Sequence, residues 1–389
     1  MSKTLTEIAQ QLQDANKKVQ LIYAFNGVGK TRLSREFKDL MAPEINEEDL
    51  EGVEQSELAR KNILYYNAFT EDLFYWDNDL DADEDRKLKI HPNAFTKWVL
   101  EEQGQDQNIV SLFQHLTNSK LTPEFSADFS SISFSMERGD EGSLKNLKIS
   151  KGEESNLIWC VFYSLLEQVI EVLNTPELDN RETSVFNQLK YVFIDDPVSS
   201  LDDNHLIQLA FDLAKLVKAS DFTNGRGLKF IITTHNPLFY NVLHNELGLK
   251  KVGKKDGCYL LERYEDGTFN LNVKYGDSNK SFSYHLHLKK IIEHAIEHAQ
   301  IERYHFMLLR NLYEKTAGFL GYPEWGKLLD TAPGDKEGYL NRIIQFTSHN
   351  TLSNETAAEP NMQEKQTVKL LLANLIENYS YWKQEEPND

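Results

Sequence analysis

V-Q-L-I-Y-A-F-N-G-V-G-K-T, residues 19–31, decides the fold class. Its opening is a largely apolar run that reads as a buried strand. It is followed by R-L-S-R-E-F-K-D-L, with apolar residues at helical spacing. Strand, glycine loop and helix together are the setting that a phosphate-binding loop requires. After Asn26, Gly27 and Gly29 let backbone amides turn toward phosphates, and the helix N-terminus adds a favourable dipole. Lys30 is placed to reach the β- and γ-phosphates, and the Thr31 hydroxyl to ligate Mg²⁺. Ala24 stands where the usual pattern has its first glycine.

Three further motifs follow in order. I-S-K-G-E, residues 149–153, opens a long apolar helix expected over residues 156–173. Ser150 and Gly152, with Glu153 beside them, offer hydroxyl and amide donors to an anion, although serine there is also an ordinary helix cap. V-F-I-D-D-P-V-S-S-L-D, residues 192–202, is an apolar strand ending in two acids. Asp195 at a strand's carboxyl end can hold Mg²⁺ through water, and Asp196 is placed to polarise an attacking water. The usual residue at the second position is glutamate, one methylene longer. I-I-T-T-H, residues 231–235, ends another buried strand in His235, which fits a γ-phosphate sensor. The set reads as an α/β ABC-type P-loop NTPase domain, in which the Ser150 surface caps a nucleotide held by a partner subunit. That arrangement requires at least a homodimer.

The 389-residue length allows two or three domains, and the formal net charge is −19. Such a balance argues against a protein that coats DNA non-specifically, since phosphate contacts dominate that binding, but it leaves room for a local basic site. The two cysteines, Cys160 and Cys258, form neither a disulfide framework nor a CxxC metal pair. No signal peptide and no run of 18 apolar residues are visible, so a cytoplasmic location is expected.

Residues 41–62 and 77–85 read as acidic loops, and 63–76 as an aromatic-rich segment packed on the nucleotide domain. Residues 94–117 read as a helix, 125–136 as a strand, and Asp256-Gly257 and Asp266-Gly267 as hairpin signals. The loop and the 149–153 motif are about 120 residues apart, too few for long coiled-coil arms, and no heptad array appears. The expected division is residues 1–265 for the nucleotide domain and 266–389 for a mostly α-helical domain.

In the second part, Arg310 and Glu314 are four apart and share a helix face. Alone, they also describe a surface salt bridge. Flanking Leu308, Leu309, Leu312 and Phe319 suggest that this helix is largely packed. His349 follows an apolar stretch among small hydroxyl residues. An arginine, a glutamate and a histidine suffice for metal-free RNA cleavage: one takes a proton from a ribose 2′-OH, another protonates the leaving 5′-oxygen, and arginine stabilises the phosphorane. Glu314 as base and His349 as acid is the tidier assignment by ordinary pKa, and burial can reverse it. His294 and His298, also four apart, lack an evident third metal ligand and read as a solvated face.

Long strings here resemble the PrrC-type bacterial anticodon nucleases over nearly the whole chain. They include L-I-Y-A-F-N-G-V-G-K-T-R-L-S-R, K-Y-V-F-I-D-D-P-V-S-S-L-D-D-N-H-L, K-Y-G-D-S-N-K-S-F-S-Y-H-L-H-L-K, L-L-R-N-L-Y-E-K-T-A and F-T-S-H. The resemblance implies a C-terminal nuclease domain with catalytic Arg310, Glu314 and His349, and recognition of a modified wobble base by Asp277. It further implies cleavage of lysine tRNA 5′ of the wobble position, leaving 2′,3′-cyclic phosphate and 5′-OH ends. The implied cofactors are GTP or ATP with Mg²⁺, and dTTP as a second nucleotide. The implied setting is an antiphage toxin kept latent by a type I restriction–modification complex and activated by a phage-encoded peptide. The rival expectation is a DNA-repair or chromosome-associated ATPase without ribonuclease activity, which shares the D-D-P-x-S-S-L-D strand end.

Overall fold

In the computed structural model the chain forms two compact units, Met1–Asp277 and Ser278–Asp389. The structure describes residues 2–41, 62–67, 74–77, 85–91, 94–117, 120–137, 143–198, 203–223, 226–249, 257–264, 266–274, 284–347 and 360–381. Most of the two acidic loops, the Ser199 to Asp202 part of the acidic motif, and Asp256, Asp277 and His349 lie outside them.

The first unit begins with α1 (Leu5–Asp14), β1 (Val19–Tyr23), α2 (Lys30–Met41), β2 (Ile63–Asn67), β3 (Phe74–Asp77) and β4 (Lys87–Ile90). It continues with α3 (Ala94–Lys97), α4 (Asp106–Thr117), β5 (Leu121–Phe125), β6 (Ser131–Glu137), β7 (Ser143–Leu144) and α5 (Lys151–Asn174). β8 (Tyr191–Asp195), α6 (Asp203–Ala219), β9 (Phe222–Thr223), β10 (Arg226–Gly227), β11 (Lys229–Thr234), α7 (Pro237–Glu246), β12 (Cys258–Arg263) and β13 (Phe269–Val273) complete it.

The main sheet has the order β13-β12-β1-β11-β8-β2, parallel except for the β12–β13 pair. β1, β8 and most of β11 are buried along their length, as central strands of a parallel sheet covered on both faces must be. A second, antiparallel sheet runs β3-β4-β6-β5, with β7 on β6. α5 carries the core. Trp159 and Phe162 pack on Tyr66, with ring centroids 5.4 Å and 4.8 Å away. The helix is long and apolar enough to cross a membrane by length and composition, but 78% of its most apolar stretch is buried inside the unit.

Several expectations are corrected. Residues 125–136 are not one strand but the hairpin β5–β6, because S-A-D-F-S makes a turn. There Asp128 accepts hydrogen bonds from the Ser126 and Ser130 hydroxyls, which hold its carboxyl down at about 2, and Phe129 takes φ 52°. Residues 94–117 are not one helix: α3 passes into a π-helical turn, Trp98–Glu102, and Gly104 at φ 60° separates it from α4. Asp266-Gly267 does close the β12–β13 hairpin, but Gly257 precedes a strand parallel to β1. A Cβ at Gly257 would lie 2.3 Å from the Val19 carbonyl oxygen, so the residue serves close backbone approach. β13 pairs with β12, and the first compact unit runs to Asp277.

The second unit is helical: α8 (Tyr284–Glu297), α9 (Arg303–Leu320), a 3-10 segment Trp325–Thr331, α10 (Lys336–Thr347) and α11 (Met362–Asn378). Leu288, Phe306, Leu309, Leu312, Leu328 and Leu371 are among its core residues. The buried Tyr313 hydroxyl donates to the Leu371 carbonyl and ties α9 to α11. Phe319, expected to pack, is 87% exposed, because α9 ends in its last turn at Gly321 and nothing described covers that face.

Candidate functional site

The phosphate-handling residues converge because of sheet register. Tyr23 stands opposite Thr234, and Thr233 opposite Asp195. The carboxyl ends of β1, β11 and β8 therefore lie side by side, the edge at which parallel α/β sheets place ligands. Out of that edge emerge the glycine loop, the aspartate pair and His235. Gly27 and Gly29 take φ 81° and 121°, conformations that side chains resist.

Asp196 is the hub. Its carboxylate lies 3.4 Å from the Lys30 ammonium and 2.7 Å from His235 Nδ1, and it accepts the His235 backbone N–H at 3.2 Å. Lys30 also donates to Asn26 Oδ1 at 3.2 Å and to the Ala24 carbonyl at 3.4 Å. Burial alone would push the Asp196 carboxyl up, but the His235 hydrogen bond and the charges of Lys30 and His235 hold it below the usual carboxylate range. Asp196 sits at φ 49°, in the left-handed region that aspartate tolerates better than most residues.

Asp195 is deeper. Burial raises its carboxyl, and hydrogen bonds from Thr233 (2.7 Å) and Thr31 only partly offset this. Ser34 donates to its other oxygen at 3.4 Å and hydrogen-bonds the Tyr65 hydroxyl at 3.0 Å. A buried carboxylate whose ionised form is under-compensated, with a threonine hydroxyl beside it, fits a magnesium ion held by Thr31 and Asp195. Thr233, Ser34 and Tyr65 were not identified from the sequence. Their only signal is position, in I-I-T-T-H, R-L-S-R and the aromatic segment, and their roles arise from the fold.

Ser150 caps α5. Its backbone N–H donates to Glu153 Oε2 at 2.7 Å while its hydroxyl oxygen accepts the Glu153 backbone N–H at 3.3 Å, a reciprocal capping box. The two side chains thus satisfy each other, and the Lys151 and Gly152 amides remain at the helix N-terminus. No hydrogen bond or ion pair among the described residues joins Ser150, Gly152 or Glu153 to the Lys30–Asp196–His235 cluster. Glu154 fixes this end of the helix. It is 1% exposed and accepts the Trp76 indole N–H at 2.6 Å and the Lys151 ammonium at 2.7 Å.

In the second unit Arg310 Nε donates to Glu314 Oε1 at 2.8 Å, with both side chains partly exposed, 36% and 43%. The Arg310 guanidinium lies 5.9 Å from the centroid of the Trp325 ring, a contact the sequence did not disclose because the two residues lie on different elements. His294 and His298 stack with centroids 4.0 Å apart on an exposed face. Among the described residues no cluster of histidine, cysteine and carboxylate side chains is arranged to hold a metal ion.

A glycine loop, an aspartate pair and a histidine on three adjacent strand ends define a P-loop nucleoside triphosphatase of the α/β class. A family model described as an AAA domain matches residues 124–374, a stretch that contains Asp195 and Arg310 and begins beyond the glycine loop. The chain belongs to the anticodon nuclease family. It is 60% identical over 408 residues to a curated Escherichia coli protein named Anticodon nuclease, with all of both chains covered. A crystal structure of an SmcHead bound to the C-winged helix domain of ScpA is similar at 10% identity and TM-score 0.33, covering 66% of this chain and 90% of that one. A likeness that slight carries no argument.

Proposed function

We propose that this chain is a nucleotide-regulated, metal-independent endoribonuclease. It cuts tRNA, lysine tRNA in the first instance, 5′ of the wobble position. The observation that carries this reading is the 60% identity to an anticodon nuclease across the whole of both chains. Arg310, Glu314 and His349 form the cutting set. One of Glu314 and His349 takes the ribose 2′-OH proton as that oxygen attacks phosphorus, and the other protonates the departing 5′-oxygen. Arg310 stabilises the phosphorane charge, and its place over Trp325 restricts the guanidinium's orientation. The products are a 2′,3′-cyclic phosphate and a 5′-OH. Asp277 reads the wobble base.

The first unit is the regulator, an ABC-type engine. Asn26, Gly27, Gly29, Lys30 and Thr31 hold the phosphates of GTP or ATP, with dTTP as a second nucleotide. Mg²⁺, held by Thr31 and Asp195, neutralises charge on the β- and γ-phosphates when bound. Asp196 and His235 orient water, and Ser150 with Gly152 and Glu153 faces the nucleotide of a second copy, so the working form is a homodimer or larger. The setting is a cytoplasmic antiphage toxin, silenced by a type I restriction–modification complex and released by a phage-encoded peptide. Purified protein incubated with total bacterial tRNA, with and without GTP or ATP, tests the reading. A single new 5′-OH end in the lysine anticodon loop, absent with His349→Ala, is the expected result. No cut under any nucleotide, with hydrolysis intact, would overturn it.

A further inference from the structure

The first unit carries a second charged concavity, at the opposite end of the main sheet from the glycine loop. It is a cavity of ≈ 830 Å³ lined by the end of α5, the loop that follows it, the entries to β8 and β11, and the β9–β10 hairpin. β8 alone separates it from Asp195 by roughly 13 Å of strand. Four cations line it, Arg181, Lys190, Arg226 and Lys229, against one carboxylate, Asp221. In a chain of net charge −19 this is a local inversion of sign.

The bland explanation is that these cations neutralise helix ends, and for part of the set it holds. Arg181 donates to the Thr175 carbonyl at 2.9 Å and to Asn187 Oδ1 at 2.7 Å, while Lys18, outside the lining, donates to the Ser220 carbonyl at 2.5 Å. The charge of Lys18 also faces Asp221. With the helix carbonyls and the lone acid so occupied, three cations are left over. Lys229 lies over the Tyr191 ring at 5.4 Å. Lys190 and Arg226 are exposed and have no hydrogen-bonded or ionic side-chain partner among the described residues. The lining contains no aromatic side chain, so it lacks the usual platform on which a base stacks.

We propose that this cavity binds the phosphate backbone of a polynucleotide, without reading its bases. The cations come from the loop after α5, the entries to β8 and β11 and the β9–β10 hairpin, and the cavity has more room than one compact polyphosphate fills, which suits successive phosphates of a strand. This site is additional to the nucleotide cluster and does not rest on the ribonuclease reading.

The test uses the full chain carrying Lys30→Ala, so that phosphate binding at the glycine loop is weakened and is the same in every variant compared. The probe is a labelled, fully 2′-O-methylated oligouridylate, which no 2′-OH mechanism can cut. Its affinity is read by fluorescence anisotropy across a salt series. Adding Lys190→Glu with Arg226→Glu is expected to weaken binding about tenfold and to reduce the slope of log affinity against log salt by about 1.4, two single-strand phosphate contacts. The milder Lys190→Gln, Arg226→Gln pair moves both quantities the same way by less. On an otherwise native chain the same substitutions leave nucleotide hydrolysis unchanged. Unaltered affinity and slope in the Glu pair would overturn the proposal. Stoichiometric displacement of the oligomer by inorganic tripolyphosphate would overturn it too, and assign the cavity to a compact anion.

Discussion

The two units present their chemistry in opposite ways. In the first, the functional side chains are built into the sheet. Asp195 is buried, Lys30 is nearly so, and partners arrive from β1, β2, β8, β11 and α2. In the second, Arg310 and Glu314 stand half-exposed on one turn of α9, with the Trp325 ring beside the guanidinium. A buried polar site must satisfy every member or destabilise the fold, so it is rigid and coupled to stability. A surface pair costs little to keep and little to lose. On the proposed reading, the difference separates a part that must hold a shape from a part that must be reached by a large substrate.

The sharpest test of that contrast is Lys30→Ala. It removes the cation that faces Asp196 and should lower nucleotide hydrolysis by about a hundredfold or more, measured as phosphate release. If cleavage by that variant still answers to nucleotide as in the wild type, the two units are not coupled as proposed. Arg310→Ala should reduce tRNA cleavage by about a hundredfold and shift stability by no more than about 1 kcal/mol. A collapsed melting curve would show that the pair belongs to the core and would erase the comparison. Trp76→Phe keeps a ring but leaves the buried Glu154 without its indole donor. It should cost about 1–3 kcal/mol in denaturant unfolding of the first unit, and a neutral result would mean that Glu154 does not fix the start of α5. The smallest effect is expected from Trp325→Leu, about two- to fivefold in cleavage from the lost contact with the guanidinium. Loss as large as that of Arg310→Ala would make Trp325 more than a support.

The sequence was most readable where backbone and chemistry coincide. β1, β8 and β11 are near-continuous apolar runs because both faces are covered, and the residues that leave their ends are the ones a phosphate needs. It was least readable where tertiary contacts decide. The pattern over 125–136 looked like one strand because Phe125, Ala127 and Phe129 alternate, as do Ile132, Phe134 and Met136, and only the slip in phase between the two sets marks the turn. Phe319 looked like core because helical spacing does not show where a neighbour ends. Ser34, Tyr65, Trp76 and Trp325 act through residues distant in the chain, and only their partners' positions make them meaningful. The Arg310–Glu314 spacing was visible, but spacing alone could not separate a catalytic pair from a surface salt bridge.

α5 has a consequence of its own. At 24 residues it is about 36 Å long. It runs from the Ser150 cap to Asn174 at the rim of the basic cavity, with most of the side chains between in the core. A rod gripped along its length cannot pivot at one end while the other stays still. A shift of its first turn along the helix axis would therefore have to move Asn174 at the far rim too, unless the helix bends.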